Sequence, residues 1–148
     1  MKIFRVLAAS VLVLLMLTGC SAVVVIDAAP DSNNPKCADV SVRLPDTIDD
    51  LGRRDTNAQA TGAWGNPTAV ILRCGLPPVE VSSLQCVTAG GVDWLVDDSK
   101  SPSYRFISFG QNPATEVIVD STKIAGVTAL ETLGGSVKYI PATKKCLG

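Results

Sequence analysis

Residues 92–119 read VDWLVDDSKSPSYRFISFGQNPATEVIV, and this stretch decides the fold. It holds three apolar runs, Val92–Val96, Tyr104–Phe109 and Thr115–Val119, each of strand length. In the second run Tyr104, Phe106 and Ser108 lie opposite Arg105, Ile107 and Phe109, because successive side chains of a strand point to opposite faces. Gly90-Gly91 turns the chain into the first run, and Asp97-Asp98-Ser99 leads out of it. Gly110-Gln111-Asn112-Pro113 supplies turn residues before the third.

Working outward, Thr68–Arg73 reads as a further strand, with Val70 and Leu72 alternating against Ala69, Ile71 and Arg73. The segment from Asp46 to Asp55 is charged and irregular, with room for one short strand at Leu51–Arg53. Cys37–Leu44 reads as a short helix stopped by Pro45. A second helix is expected from Lys123 to about Leu133, capped by Thr122 and ended by Gly134-Gly135, with Ile124, Val127, Ala129, Leu130 and Leu133 at helical spacing. Helix, consecutive strands, helix predicts an α+β fold: a small antiparallel sheet of about four strands with one or two flanking helices.

The N-terminus is of another kind. Lys2 and Arg5 precede an apolar core over Val6–Leu17, the pattern of a secretory leader. At ~1.5 Å per residue that core spans roughly 18 Å, short of a ~30 Å hydrocarbon layer. Leu17-Thr18-Gly19-Cys20 then resembles the bacterial lipobox, which assigns residues 1–19 to a lipoprotein signal peptide and lipid attachment to Cys20. The rival is an uncleaved transmembrane helix over Val6–Ile26, in which Cys20 is an apolar thiol. Either arrangement sends the remaining chain outside the cytoplasm, since Lys2 and Arg5 stay inside. Residues 20–36, small, polar and bracketed by Pro30 and Pro35, are expected to form a lipid-anchored flexible tether. Residues 37–148 then make a single extracytoplasmic domain.

Four cysteines remain after Cys20: Cys37, Cys74, Cys86 and Cys146. An even count outside the cytoplasm predicts two disulfides, with three possible connectivities. Cys74 and Cys86 flank the turn-forming Leu76-Pro77-Pro78, and Cys37 and Cys146 sit near the two ends of the domain, where termini commonly meet. The expected pairs are therefore Cys37–Cys146 and Cys74–Cys86. A four-cysteine zinc site needs closely spaced pairs, and no two cysteines here are that close.

Without Lys2 and Arg5 the chain carries 11 basic and 14 acidic side chains, a net charge of −3. No basic patch stands out, which argues against nucleic acid as a partner. Histidine is absent throughout, so triad mechanisms that depend on it are excluded. The pairs Asp49-Asp50 and Asp97-Asp98 make no dyads by adjacency, since neighbours in an extended chain diverge. No nucleophile, phosphate-loop or zinc-protease motif occurs. Arg73, between apolar strand positions, is a candidate bidentate donor to a carboxylate or phosphate, set against an internal pair with Asp93. Trp64 and Trp94 are candidate aromatic platforms, set against burial in a core short of large side chains.

Trp64-Gly-Asn-Pro-Thr-Ala-Val-Ile-Leu-Arg-Cys-Gly75, with Gly91-Val92-Asp93-Trp94 and Gly110-Gln111-Asn112-Pro113-Ala114-Thr115-Glu116-Val117, resembles an actinobacterial envelope family known as domain of unknown function 3515. The resemblance spans about residues 37–146. It implies a secreted or membrane-tethered single domain and carries over no catalytic residues. The expected function is that of a non-catalytic accessory or binding lipoprotein at the outer face of the bacterial cytoplasmic membrane. It is expected to need no cofactor or metal, and its partners would be the membrane, through the lipid, and an envelope protein or cell-wall component. Arg73, Trp64 and Asp93 are the candidate binding residues. The alternative is a small envelope hydrolase or transferase using carboxylates or a Ser-Lys pair, with Lys138, between Val137 and Tyr139, the lysine best placed for it.

Overall fold

The computed structural model describes residues 22–147; Cys20 and the expected signal peptide lie outside the described residues. Eight strands form one antiparallel sheet: β1 (Thr47–Ile48), β2 (Leu51–Arg54), β3 (Thr61–Trp64), β4 (Val70–Leu76), β5 (Gln85–Ala89), β6 (Val92–Asp97), β7 (Ser103–Ser108) and β8 (Ala114–Asp120). Their order is β1-β2-β3-β4-β8-β7-β6-β5. The sheet is thus two successive four-stranded meanders laid side by side, joined where β4 pairs with β8.

The runs read from the sequence all form strands, but the sheet has eight strands rather than about four. The unforeseen ones lack alternation. All four residues of β3 are buried, so neither face is marked by polar side chains. β5 is an edge strand of mixed polarity, and β1 has only two residues.

Two helices, α1 (Pro35–Ser41) and α2 (Gly126–Val137), pack on one face of the sheet. There Val40, Leu72, Trp94, Val117, Leu130 and Leu133 belong to one core, and fully burying an aliphatic side chain of this kind contributes about 1.5–3 kcal/mol. α2 touches β8 and also both edge strands, β1 and β5, so the twisted sheet curls around it. The Gln111 amide donates to Val137 O (3.0 Å), the last carbonyl of α2, and to Ile140 O (2.7 Å) just beyond the helix.

The helix bounds differ from the expected ones for identifiable reasons. α1 starts earlier because Asn34 accepts from Lys36 N–H (3.0 Å) and Pro35 fills the first turn. Thr122 does not cap α2, since its hydroxyl and N–H go to Asp120 (2.6 and 3.0 Å). Nor do Gly134-Gly135 end it. The helix runs on to Val137, and Gly134 serves packing instead: a Cβ there would stand 2.4 Å from the Gly90 carbonyl oxygen in the β5–β6 turn.

The expected flexible tether is also corrected. From residue 22 the chain is laid along the domain. Val24 N–H donates to Asp55 O (2.8 Å), Ile26 N–H to Asn57 Oδ1 (2.7 Å) and Asp31 N–H to Gly75 O (2.9 Å). Ile26 and Ala29 are buried. Gly75 makes this docking possible: its φ is +113°, and a Cβ would lie 2.5 Å from the Asp31 backbone.

Two disulfides form, but the expected pairing is overturned. They are Cys37–Cys74 and Cys86–Cys146. α1 sits on β4, which brings Cys37 to Cys74, while the C-terminal tail crosses the opposite face beside β5. Two disulfides assign the chain to an oxidising, extracytoplasmic compartment. Among the described residues no helix is long and apolar enough to cross a membrane.

Candidate functional site

The helix face of the sheet is not fully covered. Where α2 begins, Gly126 rests on the Phe106 ring; a Cβ there would stand 2.8 Å from Cζ. A groove of about 410 Å³ lies between the first turns of α2 and strands β5 to β8. Val87, Val96, Tyr104, Phe106, Val127 and Leu130 line it, and Gln85 and Ser121 stand at its rim. Tyr104 and Phe106 stack with ring centroids 6.4 Å apart. Among the described residues no charged side chain lines the groove. Val127 is 60% exposed at its lip. The volume lies within the range of small-molecule sites, and the apolar walls select an uncharged chain or ring.

A second depression, about 560 Å³, lies by the C-terminal tail and includes Lys144 and Lys145. It is the larger of the two, but only Cys86 and Leu95 come from paired strands, and the rest of its lining is Phe109, the connecting segment and the tail. The groove is walled by paired strands and a helix, which hold side chains in place better than loops do.

The sequence candidates fall elsewhere. Trp64 and Trp94 are fully buried, with their indole N–H groups donating to Pro45 O (3.0 Å) and Ala89 O (3.1 Å); neither is a platform. Asp93 accepts from Thr88 Oγ1 (2.6 Å) and from Cys146 N–H (2.8 Å), so it fastens the tail. Arg73 does make an internal pair, but with Glu116 rather than Asp93. Its Nε and Nη2 each stand 2.6 Å from Glu116 Oε2. The other Glu116 oxygen accepts from Arg105 Nε. Glu116 is 2% exposed, and sequence reasoning missed it because its partners come from two neighbouring strands.

This ion triad lies on the face of the sheet opposite the helices. Asp97 and Ser99 are close by; hydrogen bonds from Ser99 hold the Asp97 carboxyl below the ordinary aspartate value, with Arg105 and Lys100 adding to the effect. Lys138 is exposed just beyond α2, and the nearby Ser136 hydroxyl donates to Arg43 O (2.6 Å). They do not form a dyad. Among the described residues no cluster of His, Cys, Asp or Glu could hold a metal ion.

Neither curated proteins nor solved structures give a match to this chain. A family model described as "Protein of unknown function (DUF3515)" matches residues 2–145, and the chain belongs to that family.

Proposed function

We propose that this protein is a bacterial envelope lipoprotein, held by a lipid on Cys20 at the outer face of the cytoplasmic membrane. There it acts as a non-catalytic binding module whose ligand is an uncharged apolar chain or ring. The observation that carries the binding reading is the groove beside Phe106, with apolar walls and no charged side chain among the described residues. The leader ending in Leu17-Thr18-Gly19-Cys20 supports the anchor, and the extracytoplasmic disulfides agree with it. The absence of histidine, and the engagement of Ser136 away from Lys138, favour a module over a hydrolase.

The test is titration of the full chain in detergent with N-phenyl-1-naphthylamine, an uncharged fluorophore that brightens in apolar surroundings. Saturable enhancement is expected, weakened about tenfold by Val127→Glu, since a carboxylate at the lip must be desolvated or displaced. The variant should fold as well as the parent, because Val127 is exposed and an acid in the first turn of a helix is favourable. Equal binding by parent and variant, or none by either, would remove the groove from the reading. The anchor is tested separately: membrane-extracted protein should lack residues 1–19 and carry a diacylglyceryl mass on Cys20, and Cys20→Ala should prevent it.

A further inference from the structure

On the face away from the helices, a cavity of about 380 Å³ lies beside the ion triad, bounded by Arg73, Arg105, Glu116, Lys100, Asp97 and Ser103. Its charges are arranged unequally. Both Glu116 oxygens are taken, one by each arginine. Arg73 is fully committed, its remaining Nη1 donating to Asp27 O (3.2 Å). Arg105 is not. It gives only Nε to Glu116, and among the described residues nothing accepts from Nη1 or Nη2.

Asp97 lies directly across from Arg105 in the β6–β7 register. Its Oδ1 accepts from Ser99 N–H (3.1 Å), and it forms no ion pair with the guanidinium. Lys100, on the β6–β7 turn, has no acceptor among the described residues. Three cations therefore face two anions, and the surplus sits where the donors are open.

A guanidinium whose inner edge is fixed by a buried carboxylate keeps its outer fork at a set angle. Such a fork offers two parallel N–H donors at little cost in lost rotamer freedom. A purely structural triad would have no use for the open fork, the neighbouring ammonium and the cavity in front of them. We propose that this cavity binds a phosphate group, with the Arg105 Nη1–Nη2 fork as bidentate donor and Lys100 as the counter-charge. Phosphate fits better than carboxylate because its additional acceptor oxygens can meet the fork, the ammonium and the Ser103 hydroxyl together. The proposal stands apart from the apolar groove, which opens on the opposite face.

The experiment places the full chain, labelled with ¹⁵N, in phosphatidylcholine nanodiscs and adds inorganic phosphate at constant ionic strength. Saturable shifts are expected at Arg105 Nε and at the Ser99 and Ser103 amides. Arg105→Gln should weaken binding by about tenfold or more, the loss of a charge-assisted bidentate contact. Lys100→Gln, on an exposed turn that leaves the triad intact, should weaken it several-fold.

A second arm replaces part of the lipid with phosphatidylglycerol. The same shifts without added phosphate would identify a lipid headgroup as the source; shifts only on adding phosphate would identify a free phosphoryl ligand. Shifts that chloride reproduces, that spread over the surface, or that persist in both variants would overturn the proposal. So would their absence in both arms.

Discussion

Glu116 holds two guanidiniums at a place water barely reaches, and its charge rather than its shape does the holding. Glu116→Gln keeps the volume but leaves Arg73 and Arg105 side by side without a counter-ion. Removing one partner of a fully buried pair costs about 3–5 kcal/mol. Here the arginines stay 27% and 39% exposed, so water absorbs part of the loss and about 1–3 kcal/mol is expected. A lowered urea midpoint with an unchanged slope checks it. Arg73 is legible in the sequence as a residue of interest because a cation between apolar strand positions needs an explanation. Its partner is not: Arg73 and Glu116 meet through β4–β8 register, and alternation within a strand says nothing about which distant strand lies beside it.

At the scale of elements, two adjacent glycines separate local preference from packing. Both sit inside α2, where alanine is the better helix former by about 1 kcal/mol. Gly135 is exposed, and a Cβ added there would meet nothing within 4 Å, whereas a Cβ on Gly134 meets the Gly90 backbone. Gly135→Ala should therefore raise the melting temperature by a few degrees. Gly134→Ala should lower it, because a backbone clash of this kind costs about 1–3 kcal/mol and exceeds the propensity gain. Thermal unfolding of the two variants decides this. The pair also shows why the sequence alone misplaces the end of α2. Gly-Gly is a stop signal in sequence, and only the tertiary approach of the β5–β6 turn reveals another use for it. Strands such as β6, β7 and β8 are legible because they alternate. The fully buried β3 and the mixed edge strand β5 offer no such pattern.

For the whole molecule, the order of helices and strands and the cysteine count lead to an α+β domain with two disulfides, but the pairing needs the topology. Proximity of the chain ends favours Cys37–Cys146. Instead each disulfide closes one meander: Cys37–Cys74 encloses β1 to β3 and most of β4, and Cys86–Cys146 encloses most of β5 and all of β6 to β8. In the chain-entropy account, loops with separations of 37 and 60 residues are worth about 4 kcal/mol each. Neither bond crosses the β4–β8 seam, which the backbone ladder, α2 and the Arg73–Glu116 pair hold without covalent help. The strand connection at residues 77–84 is largely exposed and includes Glu80, a place open to proteolysis. One cut there by a glutamate-specific protease should leave a particle of native size in gel filtration. The same sample should run as two bands on a denaturing gel without reductant, whereas a cut inside either ring leaves one; a single band after cleavage at Glu80 would refute the pairing. The chain is thus a latent two-chain protein, two covalently closed halves on one thread, and a single nick would turn folding of one molecule into reversible assembly of two.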